Sequence, residues 1–384
     1  MGRKMMDAET IVVGGGIAGM SCARKLKDNG RDVLLITDEL GGRVCYDPEL
    51  HNNFGAVFCM ENYDNAFKIV DKDGYLEVAL GSLMLHSTPT KKFKGTSLTM
   101  ISSLPQLLKF RSFMNKDFIP EYSRYKKDCE TMPAAKALDA HPKIKRFYHM
   151  KASTLIEELG IQKIADNFIS KFAYACTGSR INELNALDFL NVAQGVVIKL
   201  FNFTFDADKF IALLDGKVEI ATVTGVEKIQ GSWKVTTSDG LERTCENLVV
   251  ATTGLTTQRL LGVEEIRQPT KLVSYLVKGT PNAQIAEAKA HYYSDEFDTI
   301  AIAQRDDGLF NVFSRDEIDL GEHFDQYEVI KYRVWPEALF TYGDSILRQD
   351  WDDNCYIACD VNGLGVEPAA ISGIYAANRI LGIA

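Results

Sequence analysis

Hydrophobic positions follow two rhythms along this chain. Ile11, Val12 and Val13 form a solid apolar run that stops at Gly14-Gly15-Gly16, and residues 20–27 then repeat apolar positions at helical spacing. Strand, tight turn and helix therefore succeed one another without a break. Residues 33–36 are again continuously apolar, the pattern of a buried parallel strand, and Asn29-Gly30 stops the helix before them. From about 85 to 210 the pattern is mostly helical. Pro105 marks a helix entry, 107–114 reads as an amphipathic helix, and 152–159 and 164–176 read as two more, divided by Gly160. Residues 217–220, 226–229 and 233–237 predict strands, with a hairpin turn at Asp239-Gly240, and 245–254 returns as a parallel core strand. Segments 271–277, 288–293, 299–303 and 309–313 have the β-branched and aromatic content of further strands. A short strand at 355–360, a glycine turn at 363–365 and a helix over 374–381 end the chain. The order predicts an α/β protein whose Rossmann-like domain is discontinuous and carries an inserted α+β domain.

Gly14, Gly16 and Gly19 form Gly-x-Gly-x-x-Gly, enclosing Ile17 and Ala18. In that setting the first glycine permits the turn, the second lets a diphosphate approach the backbone, and the third lets helix and strand pack closely. The helix N-terminus offers free N–H groups and a positive dipole end to the anion. A carboxylate for the ribose hydroxyls is expected about twenty residues further on. Asp38, and after it Glu39, meets that expectation; an acid there disfavours a 2′-phosphate.

Composition narrows the partners. A net charge of −9 argues against a nucleic-acid partner, which needs a basic face. Hydrophobic content of 46% and charged content of 25% are those of an ordinary globular protein, and 384 residues favour two domains. Residues 1–7 are polar and mildly basic, not the pattern of a secretory signal, and no stretch reaches the roughly eighteen apolar residues of a membrane span. The eight cysteines show no Cys-x-x-Cys, so buried free thiols in a reducing cytoplasm and no metal site are expected.

Gly41-Gly42-Arg43 follows the second strand, Asn53-Phe54-Gly55-Ala56-Val57-Phe58 comes shortly after, and Asp360 leads into Gly363-Leu364-Gly365 and a Val366–Gly373 helix start. On these segments the chain resembles the flavin-containing amine oxidase superfamily, which includes protoporphyrinogen oxidase and phytoene-desaturase-like enzymes. The resemblance implies a discontinuous FAD-binding domain (1–84, 212–262 and 345–384) and a substrate domain of a helical insert plus a sheet (85–211 and 263–344). It places Arg43 near the diphosphate and Gly55 and Ala56 near the flavin ring. Val226 falls at adenine, Asp360 at the ribityl and diphosphate region, and Val366 to Ala369 at the pyrimidine edge. Thr37 stands where the family usually has Glu. Cys359 occupies a backbone-approach position, so FAD is expected to be bound non-covalently.

The implied activity is oxidation of a C–N or C–C bond by hydride transfer to flavin N5, with molecular oxygen or another acceptor reoxidising the flavin. A desaturase of the protoporphyrinogen or carotenoid type, acting on an apolar substrate, is the alternative; an FAD-bearing protein without turnover is another. Lys271 matches the strand where amine oxidases place a lysine near N5, and Trp335 and Tyr342 are candidates for the substrate cavity. The basic run Lys109, Arg111, Lys116, Arg124, Lys126 and Lys127 is interleaved with Phe110, Phe113, Phe118 and Tyr122. It reads as a solvated helix face, with contact to an anionic membrane surface as the other reading.

Overall fold

The computed structural model describes residues 6–77 and 79–384; the first five residues of the polar start lie outside them. The apolar run before the glycines becomes the strand Ala8–Gly16, flanked by Val33–Gly41 and Glu242–Val250 in an eight-stranded sheet. Both neighbours run parallel to it, pairing Val12 with Leu35 and with Val249. Alternate side chains of these strands feed two cores. Val12, Leu35 and Val249 pack with Met20, Ala23 and Ala376 on one face, and Ile11, Val13, Ile36 and Val250 with Trp233 and Val235 on the other. The helices Ile17–Asp28 and Val366–Ile380 lie side by side, so close that a Cβ on Gly373 would collide with the Ala18 carbonyl oxygen.

The strand Glu242–Val250 shares its second edge between two neighbours. Ser232–Thr237 pairs antiparallel with its first half, and Cys355–Ile357 parallel with its second. The hairpin Val223–Ile229 and Ser232–Thr237 turns at Gln230-Gly231, both with positive φ, as a two-residue hairpin turn requires. Val218–Ile220 does not join this meander. It pairs parallel with Val33–Gly41 at the far edge, a long-range choice invisible in the local pattern.

A second, seven-stranded sheet contains Gln268–Pro281, Phe310–Ser314, Thr299–Gln304 and Ala290–Tyr293 in that order. Leu83–Thr88 and Lys91–Lys94 extend it past Ala290–Tyr293, where a helical stretch was expected to begin; Leu83, Met84 and Leu85 are buried there. At the other edge runs Phe324–Tyr342, a strand of 19 residues whose charged side chains are scattered among exposed Tyr327, Val329, Ile330 and Tyr332, so that no regular hydrophobic alternation marks it. Pro336 is tolerated because an edge strand leaves one row of backbone donors unused. The expected helices appear at Leu104–Phe113 and Ala152–Leu159, and the third as Gln162–Ile164 and Ser170–Thr177 joined through a wider π turn. Phe110, Phe118 and Tyr122 are buried among these helices, so they do not form an exposed aromatic face between the basic residues.

Among the described residues no helix is long and apolar enough to cross a membrane, and no cluster of three or more metal-ligating side chains occurs. The eight cysteines are unpaired.

Candidate functional site

Four parallel strands, Ala8–Gly16, Val33–Gly41, Glu242–Val250 and Cys355–Ile357, deliver their carboxyl ends to one edge of the sheet. That edge is where open α/β sheets bind ligands. Gly14 to Gly16, Asp38, Glu39, Gly41, Gly42, Ala251 to Thr253 and Cys359 with Asp360 there line one cavity of about 440 Å³.

The three motif glycines do different work. Gly14 has φ of 109°, and a Cβ on it would collide with the Ala251 carbonyl; a Cβ on Gly19 would collide with the Gly14 carbonyl. Both are required by packing, and Gly19 itself does not line the cavity. Gly16 is the exception. A Cβ there meets no atom within 4 Å, and Gly16 faces the cavity, so the backbone stands open to a ligand. Gly16 also precedes the first turn of Ile17–Asp28, whose Ile17 and Ala18 line the same space. A second helix start, Val366–Ile380 behind Gly365 with φ of 102°, brings Val366 and Ala369 to it. Two positive dipole ends therefore converge on one cavity.

Between them stands an ion pair. Arg43 donates to both carboxylate oxygens of Asp360, at 2.6 and 2.7 Å, and to the Ala338 carbonyl at 2.7 Å. A bidentate pair of this kind fixes both side chains, and here it ties the turn after the second strand to the C-terminal segment. Glu39 is likewise engaged, by Arg333. Asp38 lines the cavity, and its side chain has no hydrogen-bond partner among the described residues, which makes it the candidate carboxylate for a ribose. Thr37 is buried and accepts the Gly15 N–H at 2.9 Å while donating to the Glu39 carbonyl at 2.7 Å, so it shapes the loop instead of reaching outward.

Gly55 and Ala56 lie against Arg43: Ala56 N–H donates to the Arg43 carbonyl at 2.8 Å, and only glycine fits at 55. The Phe54 carbonyl next to them accepts from Trp335 Nε1 and Ser274 Oγ, both at 2.6 Å. These two donors tie the second sheet to the segment that packs against Arg43.

Beyond this junction the cavity becomes a chamber lined by Phe58, Cys176, Leu272, Ile300, Phe313 and Trp335. The charged side chains on the cavity wall are Asp38, Glu39, Arg43, Arg333, Glu337 and Asp360. Glu337 is committed to the N-terminus of Gly254–Leu261, accepting from Thr253 Oγ1 at 3.0 Å and Leu255 N–H at 2.8 Å. Among the described residues, every carboxylate on the cavity wall except Asp38 is thus engaged, and the chamber residues named above carry none.

Three expected residues fall elsewhere. Lys271 is exposed and paired with Asp316 at 2.6 Å. The pairing register with Phe324–Tyr342 slips between Thr270 and Leu272, and the cavity receives Leu272 instead. Tyr342 is 59% exposed, because its neighbour Thr341 takes the inward position, bonded to Ser179 and Thr270. Val226 does not line the cavity; it packs within the hairpin opposite Val235. Conversely, Thr252, Thr253 and Thr256 line the cavity near the glycine loop, and Ile300 and Phe313 line the chamber. The strands carrying the last two were legible, but which of their faces turns inward depends on sheet packing.

A family model of the NAD(P)-binding Rossmann-like domain matches residues 12–72. No curated protein matches by sequence. Among solved structures, a double mutant from a redesign of cofactor binding in putrescine oxidase superposes with a TM-score of 0.70 at 12% identity, over 98% of this chain and 99% of that one. The CLA-producing fatty acid isomerase from P. acnes gives 0.66 at 13% identity, over 99% of both chains. Cyclohexylamine oxidase from Brevibacterium oxydans IH-35A also gives 0.66 at 13% identity, over 98% of this chain and 99% of that one. The chain therefore has the amine oxidase fold, built on an NAD(P)-binding Rossmann-like domain at its start.

Proposed function

We propose that the protein is an FAD-dependent oxidoreductase that dehydrogenates a C–N or C–C bond of an uncharged, largely apolar substrate. The observation that carries this reading is the continuity of one cavity. At one end lie Gly16, two helix N-termini and Asp38; at the other lies an apolar chamber. Gly16 and the N–H groups at Ile17 would hold the diphosphate, Asp38 the ribose, and the Val366 helix start the pyrimidine edge of the flavin. When bound, the flavin supplies a two-electron acceptor. The chain's own part is to orient a C–H bond with Phe58, Leu272, Ile300 and Phe313 and to exclude water. The Arg43–Asp360 pair holds the joint between the two ends in place.

Substrate charge separates the readings. Putrescine oxidase is one protein that shares the fold, but among the described residues this chamber offers a dicationic diamine no unengaged carboxylate. An apolar compound loses nothing by entering it. The test is purification with FAD, then anaerobic mixing with uncharged apolar amines, porphyrinogens and unsaturated fatty acids or polyenes, with diamines as the contrast. Bleaching of the flavin bands by an apolar compound and not by a diamine is expected. A protein that cannot be loaded with FAD would sink the proposal, and tight FAD that no compound reduces would favour a binding role without turnover.

A further inference from the structure

The helices Leu98–Ile101 and Leu104–Phe113 bury Met100 and Phe110 but turn four aliphatic side chains into solvent. Leu98 is 82% exposed, Ile101 52%, Leu104 47% and Leu108 66%. Leu98 and Ile101 share the first helix and Leu104 and Leu108 the second, each pair three or four residues apart and so on one side of its helix, making an exposed aliphatic ridge along this segment that nothing covers among the described residues. Scattered exposed leucines are ordinary, but four in eleven positions are not.

Charge marks the same segment. Between Glu77 and Asp117 there is no acidic residue, while Lys91, Lys92, Lys94, Lys109, Arg111 and Lys116 are all present, in a chain of net charge −9. Lys92 is paired with Glu287 at 2.8 Å. Lys94, Lys109, Arg111 and Lys116 are exposed and have no carboxylate within ion-pair distance among the described residues. An acidic protein has here concentrated, in one segment of its sequence, four exposed aliphatic side chains and several cations that are unpaired among the described residues.

We propose that this ridge docks on an anionic lipid bilayer, with the leucines in the acyl boundary and the lysines and arginine at the headgroups. An interfacial segment has this composition, aliphatic on one side and cationic around it. The acidic remainder of the surface is repelled by anionic lipid, which leaves this face as the one that approaches. Lys109, Arg111 and Lys116 belong to the interleaved run of the sequence, but its aromatic residues Phe110, Phe118 and Tyr122 are core, and the apolar contact falls to the exposed aliphatic side chains instead.

The ridge is also coupled to the chamber. Gln106 Oε1 accepts from Ile164 N–H at 3.1 Å, and Asn167 Nδ2 donates to Ser103 Oγ at 2.8 Å. The helical run that starts there continues to Ala175, Cys176 and Thr177, which line the cavity. At about 1.5 Å per residue, Asn167 and Cys176 are separated by roughly 14 Å along that run. Docking would set the chamber close to a substrate dissolved in the bilayer. This role rests on the apolar-substrate reading; binding to lipid itself requires neither flavin nor turnover.

The test is flotation of the full chain with phosphatidylcholine vesicles, with and without added phosphatidylglycerol. Binding to the anionic vesicles, weakened by salt, is expected. The Leu98→Asp, Leu108→Asp double variant should lose about tenfold or more of it, and the Lys94→Glu, Lys109→Glu variant should lose a similar factor. All four positions are exposed, so unchanged unfolding midpoints verify that the variants fold. Wild-type protein that stays unbound with anionic vesicles overturns the proposal, as does a double-aspartate variant that floats like wild type. A wild-type dimer dissociated by Leu98→Asp and Leu108→Asp overturns it too, giving the ridge to a second copy. If the chain binds vesicles yet no apolar compound reduces its flavin, the docking surface stands and the substrate reading fails.

Discussion

Single side chains separate binding from packing at this site. Gly16→Val adds a side chain into open space on the cavity wall, whereas Gly19→Val drives one into the Gly14 carbonyl. The first variant should keep its unfolding midpoint and lose FAD; the second should fail to fold or lose several kcal/mol, on the order of an overpacked core. Chemical denaturation combined with flavin absorbance after desalting checks both, and a Gly16→Val protein that retains full FAD would remove the loop from the binding site. Away from the cavity, Arg267 is fully buried beside Asp188 and donates to the Thr341 carbonyl at 2.8 Å and the Gly343 carbonyl at 3.2 Å. Arg267→Met leaves the Asp188 carboxylate without its counter-charge, at a cost of about 3–5 kcal/mol. Adding Asp188→Asn should recover a large part of that loss, measured by urea unfolding.

At the scale of elements, the second sheet carries a buried histidine cluster that links stability to pH. His86 Nε2 lies 3.0 Å from His291 Nδ1, and His291 Nε2 points at the carbonyls of Ile285 and Ala288. His323 bonds Thr299 across neighbouring elements. Burial, reinforced by the nearby His291, pushes His86 down to about 3 and His323 to about 4, from an ordinary value of 6.5. The unfolded chain therefore takes up protons that the folded chain refuses. The neutral cluster's contribution is fully present above pH 6.5 and is lost as pH falls from there toward the folded values. Denaturant midpoints should decline across that window, and His86→Gln, which keeps a donor toward His291, should flatten the decline. An equal slope in wild type and variant would remove His86 from the linkage. Elements also explain which parts were legible. Ala152–Leu159 matches its periodicity end for end and closes on Gly160 with φ of 57°, a local signal. Phe324–Tyr342 has no such signal, because its existence depends on register with Gln268–Pro281, far away in the chain.

For the whole molecule, the decisive fact is that one cavity is lined from both large sheets, the second held to the segment beside Arg43 through the Phe54 carbonyl, Ser274 and Trp335. Its two ends differ in chemistry, dipolar and glycine-lined on one side and apolar on the other. The proposed order of events follows: dinucleotide at the sheet edge, apolar substrate in the chamber, and a lipid-facing ridge one helix away. Each part fails separately, since flavin loading, flavin bleaching and vesicle flotation are independent readings of the same protein.

The chain alone determined the glycine loop, the strand before it, the helix behind it and the charge balance. These arise from neighbours in sequence, where backbone conformation and hydrophobic period are written locally. It also brought Arg43, Asp360 and Trp335 forward as candidates, through motif resemblance. The tertiary structure alone decided which candidates meet. The Arg43–Asp360 pair joins positions 317 residues apart. The slip near Lys271 exchanges a lysine for Leu272, and the outward turn of Tyr342 removes it from the cavity. A one-residue shift in strand register reverses the face a side chain occupies, so no local pattern fixes what lines a cavity between sheets.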